Sequence, residues 1–238
     1  MSRELEIIKK SATQNFFLSW YLFLRFFFFK KINNKKIKKS VLDIQYKDFI
    51  KKNLRINEDW FTNNIKSLDF FFKKFNYYDK NINALEIGSY EGNSSVFFLK
   101  YFKNLKLTCV DTFKGSLEQD NKDFNQIFEN FNYNLRNYLH RIHVHKSSSK
   151  KFFENINNQK FDLIYIDGSH YAKDVYEDAI NSFNILNKGG FLIFDDFLWD
   201  FYSEINDNPI GGIKLFIKIF FFKIRIVSIN YQIIIQKL

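Results

Sequence analysis

Two hydrophobic periods alternate along this chain. Short, nearly continuous apolar runs are separated by longer stretches in which apolar residues recur every three or four positions. The short runs at 84–87, 105–110, 143–145, 161–166 and 191–194 read as strands. Helical periodicity is expected over 94–102, 120–138, 147–155, 173–186 and 212–223. A further helix over 58–77 is marked by Trp60, Phe61, Ile65, Leu68, Phe71, Phe72 and Phe75, with Asn57 as its cap. Lys188-Gly189-Gly190 reads as a helix stop and turn. The runs 224–229 and 231–236, joined at Asn230, read as an antiparallel hairpin. Strands alternating with helices imply an α/β fold, a mostly parallel sheet with helices on both faces.

The stretch Ala84-Leu85-Glu86-Ile87-Gly88-Ser89-Tyr90-Glu91-Gly92 organises this pattern. A buried strand is followed by glycines that permit a sharp turn. Asn93, Ser94 and Ser95 then offer side chains to cap a helix. A strand, a glycine turn and a helix N-terminus make a cradle for a nucleotide-like cofactor. The spacing Glu86-x-Gly88-x-x-x-Gly92 is not Gly-x-Gly-x-x-Gly, which argues against a nicotinamide or flavin dinucleotide.

Residues 1–57 form a separate aromatic and basic segment ahead of a domain at 58–238. Phe16 to Phe29 is apolar but broken by Ser19 and Arg25, short of the about 20 apolar residues of a membrane span. It has no small-residue cleavage site, which argues against a secretory signal. A lysine run follows from Lys30 to Lys39. Residues 16–39 fit either a helix lying peripherally on an anionic membrane or a helix that packs on, or lids, the domain.

Composition changes this picture little. Phe (32) and Tyr (13) are abundant, while Gly is 8 and Pro is 1. Lys, Asn, Ile and Phe all have codons spelled with A and T alone, so an AT-rich genome accounts for much of the bias. The net charge of +10 would attract nucleic acid, an anionic membrane or acidic metabolites. A single cysteine, Cys109, excludes an internal disulfide framework and fits a reducing, cytoplasmic compartment. It lies in a strand pattern and reads as core, not as a nucleophile.

Taken together, residues 58–238 resemble the class I methyltransferases that use S-adenosylmethionine (SAM). The carriers are the 86–92 motif, Asp111 in Cys109-Val110-Asp111-Thr112-Phe113, Ile166-Asp167-Gly168-Ser169-His170, Gly189-Gly190 before Asp195-Asp196, and the closing hairpin. The last motifs resemble the subfamily of macrolide-sugar and cephalosporin-pathway O-methyltransferases. The resemblance implies a Rossmann-like, seven-stranded sheet with a C-terminal antiparallel hairpin. It implies SAM contacts at Glu86, Gly88, Ser89, Gly92 and Asp111, with Asp111 on the ribose and Ser147 and Ser148 near the adenine. It implies a divalent metal such as Mg²⁺ at Asp167, Asp195 and Asp196, and His170 as base beside Asp167. Three carboxylates are hard oxygen ligands suited to such a cation. Adjacent strand residues point to opposite faces, so Asp195 and Asp196 share an ion only if the chain turns there.

The implied reaction is methylation of a hydroxyl on a small molecule or sugar. Two other readings stay open: a non-catalytic or membrane-associated module that retains the fold, and an RNA methyltransferase suggested by the charge. No sequence-specific nucleic-acid partner is expected, because the Asn/Asp-Pro-Pro-aromatic motif of amino-methylating DNA enzymes is replaced by Asp167-Gly168-Ser169-His170.

Overall fold

Where apolar runs can pair, and where carboxylates and glycines make them turn, sets the order of elements. A computed structural model describes residues 3–11, 16–115 and 123–238. In chain order the elements are α1 (Arg3–Lys10), α2 (Phe16–Ile37), α3 (Leu42–Asn53), α4 (Ile65–Lys74), β1 (Ile82–Ile87), α5 (Asn93–Tyr101), β2 (Leu105–Asp111), α6 (Phe124–Leu135), β3 (Ile142–Lys146), α7 (Ser149–Asn155), β4 (Phe161–Ile166), α8 (Ala172–Ile185), β5 (Leu186–Phe194), α9 (Pro209–Phe220), β6 (Ile224–Ile229) and β7 (Ile233–Lys237). The described strands form a seven-stranded sheet in the order β3-β2-β1-β4-β5-β7-β6. It is mostly parallel and closes with an antiparallel hairpin, as expected. Two compact units divide the chain, Lys36–Asn158 and Met1–Lys35 with Gln159–Leu238.

In the first unit, β1 and β3 both run parallel to β2. The aromatic excess fills its core. Tyr46, Phe71, Phe72, Phe97, Phe98 and Phe102 are all fully buried. Phe72 meets Phe102 edge to face, with ring centroids 4.7 Å apart at 90°, the geometry that ring quadrupoles favour. The buried Tyr46 hydroxyl donates to the Asn93 carbonyl at 2.6 Å, so α3 is tied to the start of α5.

Three expected boundaries move here. The helix expected from residue 58 becomes α4, preceded by a single 3-10 turn at Thr62–Asn64. Asp59 accepts from the Thr62 N–H at 3.0 Å and caps that turn, while the Asn57 N–H goes to Glu91 instead. Asn76, at a φ of 52°, ends the helix after Lys74. α5 has no side-chain cap, since Gly92 at φ 79° leads into it. α6 is capped by Asp123 through the Asn125 and Gln126 N–H groups. Residues 120–122 of its expected start lie outside the described residues.

In the second unit, β4 and β5 are parallel, and β5-β7-β6 are antiparallel. The Lys188-Gly189-Gly190 stop is not a separate turn. α8 ends at Ile185 and β5 begins at once, with the register against β4 shifting between Leu186 and Phe191. Gly189 has a φ of 81°, and a Cβ on Gly190 would stand 2.9 Å from the Asp162 carbonyl oxygen. The irregularity therefore requires both glycines. The helix expected at 212–223 runs from Pro209, with proline in the first turn, and tightens to a 3-10 turn at Phe221–Lys223.

α9 approaches α8 closely at Gly212, where an added Cβ would collide with the Ala172 carbonyl oxygen. Backbone cannot yield as a flexible side chain does. Gly212→Ala is expected to cost about 1–3 kcal/mol of stability, as overpacking does elsewhere. Gly189→Ala meets no atom within 4 Å and should cost only the left-handed backbone penalty, about 1–2 kcal/mol. Urea unfolding of both variants checks the order.

Candidate active site

Every residue implicated by the sequence lies at or just beyond the C-terminal end of a strand, where open α/β sheets bind ligands. At the end of β1 the backbone turns through Gly88 (φ 84°), Tyr90 (φ 46°) and Gly92 (φ 79°). The Gly88 N–H donates to the Val110 carbonyl at 2.9 Å. Asp111, ending β2, then collects the loop. Its Oδ2 accepts from the Ser89 and Tyr90 N–H groups at 2.7 and 2.8 Å, and its Oδ1 from the Phe113 N–H at 2.6 Å. A carboxylate has about four lone-pair sites, so these bonds leave capacity for one more donor.

Glu86 and Ser89 are buried beneath this loop, at 0% and 3% exposure. The Ser89 hydroxyl donates to Glu86 Oε2 at 2.7 Å, and Ser95 donates to the same oxygen. The Cys109 thiol sits 3.4 Å away, as a core residue should. Burial raises the Glu86 pKa, and the hydroxyls of Ser95, Ser94 and Ser89 oppose the rise. Burial likewise pushes the Cys109 thiol up, which removes thiolate character. Glu86 Oε1 is buried with no hydrogen-bond partner among the described residues.

Glu91 carries a network that the sequence reading missed. Its carboxylate accepts from the Asn57 N–H and from Asn130 Nδ2 at 2.7 and 2.8 Å, and its carbonyl from Asn134 Nδ2 at 2.8 Å. The available signal was an acid between two glycines, with Asn130 and Asn134 four apart on one helix. A Cβ on Gly92 would meet the Phe131 ring at 3.1 Å, so the loop also lies hard against α6. Ser148 caps α7 by accepting from the Lys151 N–H at 3.3 Å. The Ser147 N–H donates to the His145 carbonyl.

In the second unit, β5 stops at Phe194 and the chain turns over 195–198. The Asp195 N–H bonds the Ile166 carbonyl at 3.0 Å, holding the ends of β4 and β5 together. The two acids diverge at this turn. Asp195 faces inward at 5% exposure and accepts from Gln232 Nε2. Asp196 accepts from the Tyr231 hydroxyl at 3.0 Å and lies 3.0 Å from His170 Nε2. Asp167, His170 and Asp196 each present a ligand atom, all within 4.8 Å of one another. Asp195 is outside that cluster, and His170 is in it.

Trp199 packs on the His170 ring, with centroids 4.6 Å apart. Trp199 and Tyr231 also line a cavity of about 290 Å³, together with Arg3, Glu4, Ile7, Leu198 and Asp200. Tyr231 and Gln232, a polar pair within an isoleucine-rich hairpin, were the signal that this turn serves the site. His140, His143 and His145 lie in the 3-10 turn before β3 and on β3 itself.

The residues present fit both groups the sequence implied. Glu86 Oε1 offers a buried acceptor, and Asp111 one remaining lone pair, suited to a cofactor with an ammonium group and a ribose. The carboxylates of Asp167 and Asp196 are hard oxygen donors suited to Mg²⁺ or Mn²⁺.

A family model described as a methyltransferase domain matches residues 85–197. A curated relative, the uncharacterized protein R132 of Acanthamoeba polyphaga mimivirus, is 28% identical over 118 residues. That match covers 48% of this chain and 50% of R132, so the chain spans about half the length of the curated relative it matches. Among solved structures, the fold is similar to MycE methyltransferase of the mycinamycin biosynthetic pathway, in complex with Mg, S-adenosylhomocysteine (SAH) and mycinamycin VI. The TM-score is 0.59 at 14% identity, over 87% of this chain and 62% of that one. It is also similar to an O-methyltransferase from Bacillus cereus in complex with SAH. There the TM-score is 0.54 at 14% identity, over 91% of this chain and 100% of that one. The match places a methyltransferase domain at residues 85–197, and the solved structures share the fold of the chain.

Burial first, and then the charge of Asp196, push the Asp195 carboxyl up to about 7. The unfolded carboxyl ionises near pH 4. Asp195 therefore opposes folding increasingly as pH rises from about 4 to 7, and fully above that. Without added metal, Asp195→Asn should unfold above the parent at pH 8, by about 2–4 °C for each 1 kcal/mol regained. The gap should close near pH 4, and thermal melts across that range test it.

Proposed function

We propose that this chain, whose residues 85–197 match a methyltransferase domain, methylates a hydroxyl on a small molecule or sugar with SAM as donor. The observation that carries the reading is the convergence of Asp167, His170 and Asp196 within 4.8 Å at the ends of neighbouring strands. When bound, SAM supplies a methyl group already activated by its sulfonium.

The chain's own residues must then hold the donor, remove the hydroxyl proton and exclude water. The loop after β1, shaped by Asp111, presents backbone to the donor; Gly88 allows a close approach, while Gly92 leaves room for the Phe131 ring of α6. Glu86 Oε1 is the acceptor we assign to the donor's ammonium, and the spare Asp111 lone pair is assigned to its ribose. The side chains of Ser89 and Ser148 keep structural bonds within the protein. Ser147, just before the α7 cap, remains the residue we assign to the adenine side.

His170 takes the hydroxyl proton. Asp196 lies 3.0 Å from Nε2; when that nitrogen carries the proton, Asp196 accepts from it and Nδ1 is the basic nitrogen. Trp199 holds the imidazole plane, and Tyr231 holds Asp196 from its other oxygen. Asp167 and Asp196 would hold a divalent cation, which supplies charge that acidifies a hydroxyl. Asp195 supports them from behind and becomes a ligand only if its carboxylate leaves Gln232. The cavity beside Trp199 and Tyr231 is the acceptor site this reading assigns, and its size suits a small molecule or a single sugar.

Calorimetry with SAM, with and without Mg²⁺, tests the assignment, followed by a screen of metabolite extracts for methyl acceptance. Asp111→Ala should weaken SAM binding by about tenfold or more, the equivalent of about 1.4 kcal/mol. His170→Ala should lower kcat by about 10²–10⁴ while leaving SAM affinity within a few-fold. Asp196→Asn should abolish Mn²⁺ binding, and Asp195→Asn should weaken it less. An absence of SAM binding in both conditions would sink the reading.

A further inference from the structure

We propose that the outward face of α2, joined by the end of α9, docks on an anionic lipid bilayer and holds the protein at a membrane surface. This face is separate from the methyl-transfer residues and does not depend on their assignment.

Both polar interruptions of α2 bond to the protein, Ser19 from the buried face and Arg25 from an exposed position. Leu18, Ser19, Leu22 and Phe26 form its buried face. The buried Lys214 of α9 donates to the Ser19 hydroxyl at 2.7 Å and to the Ser11 carbonyl. Arg25 donates to the Ile226 carbonyl of β6. The two residues that break the apolar run are therefore its anchors to the protein. The opposite face carries Phe17, Trp20, Leu24, Phe27 and Phe28, spaced three, four or one apart along one stripe and all exposed, with Phe17 at 84%. The same stripe continues into the exposed Lys31 and Lys35.

A second segment, about 200 residues later, extends this surface. Phe221 packs on Tyr21 of α2, with ring centroids 5.6 Å apart. Next to it, Phe222 is 93% exposed, and Ile219 and Leu215 are exposed one and two turns earlier on α9. Lys218 and Lys223 flank them, both exposed.

Charge identifies the occupant. No Asp or Glu occurs between Glu6 and Asp43, while lysines cluster at the end of the stripe. A helix face of Phe, Trp and Leu that runs into lysines, on a helix with no acid of its own and with Glu4 paired to Lys30, matches the acyl boundary and anionic headgroups of a bilayer. No described helix is long and apolar enough to cross a membrane, so α2 would lie in the interface, not span it. A large exposed apolar patch also costs solubility unless something covers it.

Sedimentation of the full chain with phosphatidylcholine–phosphatidylserine vesicles, and with phosphatidylcholine vesicles alone, tests this. Binding is expected to the anionic vesicles and to weaken with salt. Trp20→Ser/Phe28→Ser and, separately, Phe222→Ser should each lower the partition by about tenfold or more, as loss of buried aromatic area predicts. Lys31→Glu/Lys35→Glu should reduce binding to anionic vesicles with the melting temperature unchanged. Absence of vesicle binding by the parent chain, or binding that survives all three changes, overturns the proposal. It is also overturned if light scattering shows a dimer that Trp20→Ser/Phe28→Ser converts to a monomer, because the face would then join two copies of this chain.

Discussion

Asp111 gathers three backbone N–H groups, and the loop between β1 and α5 takes its shape from them. Peptide N–H groups at a turn lack the partners a helix or sheet would supply, so they must find acceptors elsewhere. One carboxylate at the end of the neighbouring strand meets that need for Ser89, Tyr90 and Phe113. Glu91 does the same from the other side of the loop, reaching Asn57 and α6. The left-handed backbone at Gly88, Tyr90 and Gly92 is held between these two acids.

The ends of β4 and β5 follow the same rule with a different outcome. Asp195 is drawn inward by Gln232 and sits in surroundings that disfavour its charge. Asp196, one residue later, stays near His170 and Tyr231. Two adjacent acids thereby take different parts. One lies buried beneath the turn, and the other lies beside His170. Trp199 packs on the His170 ring, and the Tyr231 hydroxyl donates to Asp196.

Aromatic residues serve two purposes in this chain. In the Lys36–Asn158 unit they are the core, meeting edge to face around Phe72 and Phe98. On α2 and at the end of α9 they face outward. A high phenylalanine content by itself does not sort exposed rings into one stripe opposite a serine and an arginine that bond to the protein. That sorting depends on placement in the fold.

The sequence alone determined the order of strands and helices, the glycine turn after β1 and the identity of the acids that end the strands. Apolar period, turn residues and caps act over a few positions, and β4 at Phe161–Ile166 was readable to the residue. Boundaries moved where a distant or unexpected partner intervened. Asp59, not the expected Asn57, accepts from the first turn ahead of α4, and the Asn57 N–H donates to Glu91. Tertiary structure alone decided which of Asp195 and Asp196 turns inward. It also brought Gln232 and Tyr231 to them and pointed Ser19 and Arg25 toward the protein. Those outcomes rest on contacts between residues tens to hundreds of positions apart, which no local pattern encodes.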